Sequence, residues 1–144
     1  MSVFSKLFRS NQKEDKLEDD KYIETIIKSS EDVPLGISNN NLIYVGYNEL
    51  GGYYYLQTFI IGRLKIKTKT GAKISIEGND YTLELNSDMS ELESEPASPL
   101  DAYVTRIDFE IEKTTVEKLK RSTMKQLTLT IKKKEVVFTV KNEE

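Results

Sequence analysis

The sequence predicts a mainly β protein, built as an antiparallel β-sandwich or as a strongly curled, barrel-like sheet of about 7–8 strands, with one or two short helices. Three observations predict it. Apolar and polar residues alternate after Gly62, and turn residues separate the alternating runs. Charges of one sign cluster in blocks along the chain. The 144 residues, 38% of them hydrophobic, suit one independently folded domain.

The charged residues are sorted by sign. Residues 63–73 hold five basic residues and no acid, residues 77–112 hold eleven acids against Arg106, and residues 113–134 hold eight basic residues against Glu117. A formal net charge of −3 therefore conceals a strongly polarised molecule.

Residues 1–20 are predicted to be an amphipathic segment followed by a flexible charged tether. Val3, Phe4, Leu7 and Phe8 share one helical face, whereas residues 11–20 contain a single apolar residue, Leu17. We expect the amphipathic face to pack on this domain or on a partner. Membrane contact through Phe4, Leu7 and Phe8 is the less favoured alternative, because so short a stretch needs a second attachment signal.

The domain is predicted to cover residues 21–144. Its first element, over residues 21–28, is interpreted as a helix, although its β-branched residues leave a strand open. Strands are predicted over residues 42–47 and 53–61, with a turn at Gly51 and Gly52 between them.

A meander of short hairpins is predicted next. Leu64, Ile66 and Thr68 should point inward and Lys65, Lys67 and Lys69 outward, because neighbouring side chains on a strand point to opposite faces. The same pattern places the following residues inward: Ile74, Ile76, Tyr81, Leu83 and Leu85.

Residues 86–100 interrupt the alternation. They contain two prolines, four serines and the acids Asp88, Glu91, Glu93 and Glu95. About 15 irregular residues is long for a connection inside a compact domain. We therefore predict a mobile acidic loop here.

The alternation resumes with Ile107, Phe109 and Ile111 inward and Asp108, Glu110 and Glu112 outward. Thr114 and Glu117 have the spacing of a capping box, which predicts a short helix over residues 116–121 that buries Val116 and Leu119. Two final strands are predicted to point these residues inward: Leu127, Leu129, Ile131, Val136, Phe138 and Val140.

The lysine ladder of residues 65–69 and the acidic ladder of residues 108–112 admit two interpretations. The favoured one is that they lie on neighbouring or nearby strands and neutralise each other across the sheet. The other is that one face is a basic patch for a polyanion, with the acidic loop shielding it or meeting a separate partner. Nucleic acid is not favoured as that polyanion, because the basic segments have few interleaved aromatic residues.

The chain contains no cysteine and no histidine. Disulfides, thiolate nucleophiles, histidine-dependent triads and His-carboxylate metal sites are therefore excluded. The alternating acids point to solvent rather than converging in a cleft, and no phosphate-cradling glycine loop or nucleophile elbow is present. We predict no enzymatic activity, no cofactor and no metal.

The predicted function is a non-catalytic protein-binding or assembly module, which uses a charge-polarised sheet face and the acidic loop. The alternative is a small-molecule or glycan-binding domain that uses Tyr53 and Tyr55, which should share one side of their strand while Tyr54 takes the other. We expect a protein partner and a cytoplasmic location, and leave self-association open. The candidate binding residues are Tyr53, Tyr55, Lys65, Lys67, Lys69, Glu91, Glu93 and Glu95.

Overall fold

A computed structural model describes residues 17–141, which form one curled antiparallel sheet of nine strands, a separate two-stranded sheet and two helices. Helix α1 covers residues 17–29 of this range, and helix α2 is Lys113–Arg121. The strands are β1 Gly36–Ile37, β2 Asn41–Leu50, β3 Tyr53–Gly62, β4 Lys67–Thr68, β5 Lys73–Gly78, β6 Thr82–Asn86, β7 Leu92–Glu93, β8 Glu95–Pro96, β9 Tyr103–Ile111, β10 Met124–Ile131 and β11 Lys134–Val140.

The large sheet has the order β6-β5-β10-β11-β1-β2-β3-β9-β8, and β4 pairs with β7 in the small sheet. The large sheet curls until its two ends approach each other. Ser87, just after β6, forms an isolated antiparallel bridge with Phe109 of β9. The Asp88 N–H donates to the Asp108 carbonyl oxygen at 2.8 Å. The barrel-like alternative of the fold prediction is therefore confirmed.

The concave side of the sheet holds the main core. The predicted alternation explains it, because Ile74, Ile107, Phe109, Leu127 and Phe138 are at most 1% exposed. Helix α2 contributes Val116 and Leu119 to the same cluster. The lysines of residues 65–69 are exposed, while Leu64, Ile66 and Thr68 between them are buried, as predicted.

A second, smaller core lies on the convex side. Helix α1 places Ile23 and Ile26 against Leu42, Ile61 and Ala102. The helix predicted over residues 21–28 is therefore confirmed. It also includes residues 17–20, the end of the predicted tether. The predicted amphipathic segment over residues 2–9 lies outside the described residues.

The segment 86–100 is not wholly irregular, so that prediction is wrong for β7 and β8. Leu92 and Ser94 are buried, which anchors the acidic segment beneath β9. The Ser94 and Thr105 hydroxyl oxygens lie 2.6 Å apart, and the Ile66 N–H donates to the Ser94 hydroxyl at 2.9 Å. Leu92 and Ser94 supply one apolar and one hydroxyl side chain within an acidic run, and their burial holds these short strands in place.

The capping box predicted at Thr114 is also wrong. Helix α2 begins at Lys113, its N-cap is Glu112, and no side-chain hydrogen bond caps it. The start is set by packing, since Val116 and Leu119 must face the core.

The favoured interpretation of the charge ladders is wrong as well. Strand β9, which carries the acidic ladder, has β3 and β8 as its neighbours, whereas β4 of the lysine ladder pairs with β7. Lys67 therefore meets Glu93, with 3.9 Å between Nζ and Oε1. Within residues 17–141, no ion pair joins the two ladders.

Neither helix in that range is long and apolar enough to cross a membrane.

Candidate functional site

The convex side of β2, β3 and β9 is divided into a covered half and an open half. Strand register puts Leu42, Ile61 and Val104 side by side, and helix α1 packs over this row. Further along, Gly46 lies beside Gln57 and Asp108, and Asn48 lies beside Tyr55 and Glu110. We call these two further rows the open face.

Gly46 forms the floor of a groove on the open face. A Cβ added at Gly46 would meet no atom within 4 Å, so the space above it is free. The groove has a volume of about 550 Å³ and runs from the open face to the segment after α1. The side chains that line it belong to Asp32, Val33, Tyr44, Gln57, Phe59, Arg106 and Asp108.

One wall of the groove is aromatic. The Tyr44 and Phe59 rings meet edge to face, with 6.0 Å between their centroids and an interplanar angle of 74°. The Arg106 guanidinium carbon lies 5.4 Å from the Phe59 centroid, within the range of a cation–π contact. The Tyr44 hydroxyl is buried and has no hydrogen-bond partner among residues 17–141.

The other side of the open face is acidic, because Glu110 lies beside Tyr55 and Asp108 lies two residues from Glu110 along β9. Partial burial raises the pKa of the Tyr55 phenol, and the negative charges of Asp88, Glu110 and Asp108 raise it further. Asp88 belongs to the acidic segment and reaches this position through its backbone bond to Asp108. Sheet curling therefore brings three carboxylates from two distant parts of the chain to the β9 side of one aromatic ring.

The structure separates the sequence-predicted candidates into two groups. Tyr53 and Tyr55 point to the convex side, while Tyr54 packs on the main core, so the predicted division of the tyrosines is confirmed. Tyr53 is 62% exposed beside Leu50, which is 67% exposed, at the tip of the β2–β3 hairpin. Gly51 and Gly52, with φ of 61° and 87°, make the tight turn there.

The second group lies at the opposite end of β3. Lys65 places its Nζ 5.3 Å from the Tyr103 ring centroid, and Lys67 pairs with Glu93. Glu95 pairs in β8 with Val104, and Lys69 and Glu91 are exposed. The ten residues of β3 separate these side chains from Tyr53. The structure therefore does not join the lysines and the tyrosines in one site.

Sequence reasoning did not identify Gly46, Gln57 and Asp108 as site residues. Alternation from Tyr55 places Gln57 on the same side, but the register that brings Gly46 and Asp108 beside Gln57 is a long-range property.

In the described part of the chain, no cluster of three or more Asp or Glu side chains is arranged to hold a metal ion. Comparison of this chain with protein-family models, with curated proteins and with solved structures finds no match.

Proposed function

We propose that this protein is a non-catalytic protein-binding module that docks a cationic segment of a partner on the open face. One observation carries the proposal: Glu110, Asp108 and Asp88 lie on the β9 side of Tyr55, directly beside the groove floored by Gly46. Excess negative charge, an aromatic ring and free space thus occur together on a sheet face that α1 leaves uncovered.

Charge favours a basic partner segment over an acidic or neutral one. A lysine or arginine head near the three carboxylates gains Coulomb attraction and lessens their mutual repulsion. Arg106 lies beyond Asp108 as seen from Tyr55, and its guanidinium is over the Phe59 ring. Its positive charge repels a cation at that end of the site, so the two ends of the site differ in charge. The site therefore favours a segment whose basic residue lies toward Tyr55.

The aromatic and empty parts of the site suit the rest of such a segment. The Tyr55 ring can cover the methylene stem of a lysine or arginine, because these side chains keep only their heads in water. The space above Gly46 accepts one side chain of the partner.

The test compares two peptides of about eight residues, in which valine alternates with lysine or with glutamate. Binding to the full chain is followed by amide NMR shifts and calorimetry at low and raised salt. We expect the lysine peptide alone to shift Gly46, Gln57 and Tyr55, and its affinity to fall with salt.

Gly46→Leu provides the decisive variant, because its Cβ would meet no neighbour and the rest of its side chain would extend into the groove. It should weaken lysine-peptide binding at least about tenfold, since the steric block removes several contacts at once. Thr128→Leu, a matched change on the convex side of β10, should leave binding unchanged. Equal binding of both peptides, or full binding by Gly46→Leu, would refute the proposal.

A small-molecule or glycan-binding function is the second candidate. The groove favours it, because it provides a concave space close to Tyr55. Neutral monosaccharides titrated against the same amide resonances distinguish the two functions. Saturable shifts at Gly46 that are independent of salt would favour this second function over the first.

A further inference from the structure

The curled sheet stops short of closing between β6 and β9. The Ser87–Phe109 bridge sets an antiparallel register, and its continuation would place Leu85 beside Ile111 and Glu84 beside Glu112. Like charges directly opposite each other on paired strands are destabilising. The chain also leaves the sheet at Lys113, where α2 begins. We call the resulting gap between Thr82–Asn86 and the end of β9 the seam.

The seam exposes a free strand edge. In the β5–β6 pair, the Gly78 N–H donates to Tyr81 O and the Ser87 N–H donates to Ala72 O, both at 2.9 Å. Bonding toward β5 therefore falls on every second residue between Tyr81 and Ser87. The N–H and C=O groups of Thr82 and Glu84 point away from β5 and into the seam. Asn86 lies next to the Ser87–Phe109 bridge, within the pairing with β9. β6 is the terminal strand of the sheet over residues 17–141.

The surroundings of this edge differ on its two sides. A cavity of about 600 Å³ occupies the seam. Leu83, Leu85 and Ile111 contact the main core and line the concave side of this cavity. Glu84 and Glu110 point to the convex side, and no Lys or Arg is among the described lining residues. The Lys73 Nζ lies 4.0 Å from Glu84 Oε2, in an exposed pair.

We propose that β6 accepts an extended segment of a partner protein as an added strand, with basic and apolar residues alternating along it. An added strand would direct alternate side chains to opposite faces. One set would extend the apolar row of Leu83 and Leu85, and the other would meet Glu84 and Glu110. Backbone bonds to Thr82 and Glu84 would supply the hydrogen bonds that these two residues do not form with β9.

This inference rests on the proposed function and deepens it, since it specifies the conformation of the cationic segment. The seam and the open face are continuous, because Asp88 and Glu110 border both. A segment added to β6 therefore leads directly to Tyr55.

The first measurement is amide hydrogen exchange of the full chain with and without the valine–lysine peptide. We expect new protection at Thr82 and Glu84, the two amides that point into the seam. The amides of Leu83 and Leu85, which point toward β5, serve as internal references. Amide NMR shifts at the open face without protection at Thr82 and Glu84 would overturn the added strand and leave the proposed function standing.

Glu84→Pro is the matching variant. Proline removes an N–H that points into the seam, so the β5 hydrogen bonds are preserved, and edge strands tolerate proline. We expect binding of the valine–lysine peptide to fall at least about tenfold, and more than for Glu84→Gln, which removes only the charge. An equal loss for the two variants would overturn the added strand, because charge alone would then explain it.

A second probe keeps the test valid if Glu84→Pro unfolds. The peptide is N-methylated on alternate residues, in one register or the other, and titrated against the unchanged protein. An added strand loses affinity at least about tenfold in one register only, because just one set of amides bonds to β6. Equal affinities for both registers would overturn the inference.

Discussion

The covered and open halves of the convex side are built from the same three strands, yet they differ in what lies over them. In the covered half, Leu42 and Ile61 form an apolar row, and helix α1 removes it from water. In the open half, the corresponding positions are Gly46 and Gln57, with Asp108 beside them. A helix cannot gain apolar burial over this second row, so α1 ends before it.

The difference shows that the polarity of a row of side chains determines whether that part of the sheet is covered or stays exposed. An apolar row on a convex sheet face must be covered, because exposed apolar surface costs free energy. A row that mixes glycine, amide and carboxylate groups is stable in water and stays accessible. The open face is thus available for a partner without weakening the fold. The predictions below test that separation.

Ile26→Ala should produce the largest effect, and it tests whether the covered half is a true second core. Ile26 is 1% exposed against Leu42 and Ile61. Removing its side chain leaves a cavity and should lower the free energy of unfolding by about 3 kcal/mol. Gln57→Ala in the open half should change it by less than about 0.5 kcal/mol. Denaturant titration measures both, and similar losses would end the distinction between the halves.

Much of the division between buried and exposed side chains could be predicted from local sequence, because alternation along a strand does not depend on which distant strands pair with it. The inward set around Ile107 and Phe109 is buried, and the helix with Ile23 and Ile26 forms as predicted. Alternation alone does not distinguish a sandwich from a curled sheet, because curling depends on which strands meet. The bridge between Ser87 and Phe109 joins residues that the sequence pattern does not connect.

The candidate site was less predictable than the fold. Tyr55 was identified, but its acidic neighbours come from both the acidic segment and β9. The positions of lysine and glutamate in the sequence show where each sign of charge lies, but they do not show which charges pair. Lys67 pairs with Glu93 and not with the acidic ladder on β9. Gly46 carries no side-chain signal at all, and its role appears only when Gln57 and Tyr44 are placed around it.

Arg63→Ala should have the next largest effect on the free energy of unfolding, because Arg63 contacts both helix α1 and the segment before β9. Its Nη1 lies 2.8 Å from Asp101 Oδ2, and its guanidinium carbon lies 4.1 Å from the Tyr22 centroid in α1. Solvent screens this exposed pair, so the variant should lose about 1 kcal/mol of unfolding free energy. Arg63→Lys should recover only part of it, because lysine lacks the planar group that stacks on Tyr22. Full recovery by lysine would show that charge alone holds the helix.

Tyr44→Phe tests the boundary between the two halves. The Tyr44 ring packs against the second core, while its buried hydroxyl has no hydrogen-bond partner among residues 17–141. Removing a buried, unpaired hydroxyl should raise the unfolding free energy by about 0.5 to 1 kcal/mol. A loss of stability on thermal and denaturant unfolding would instead mean that the hydroxyl already has a partner.

Tyr55→Phe should have the smallest effect on stability, and it appears only at alkaline pH. Partial burial and the charges of Asp88 and Glu110 raise the pKa of Tyr55 in the folded state. The associated stabilisation is complete below the unfolded pKa of about 10 and is lost as the pH rises through the folded value. The unfolding free energy of the natural chain should therefore fall relative to that of Tyr55→Phe over this range.

Asp88→Asn provides the control for this pH dependence. It removes one of the charges that raise the pKa of Tyr55, so the alkaline difference between tyrosine and phenylalanine should shrink in its background. Denaturant titrations at a series of pH values measure this difference for both backgrounds. An undiminished difference would mean that Asp88 does not act on Tyr55. The acidic segment would then lie apart from the open face, and the open face would lose the charge that distinguishes it from the covered half.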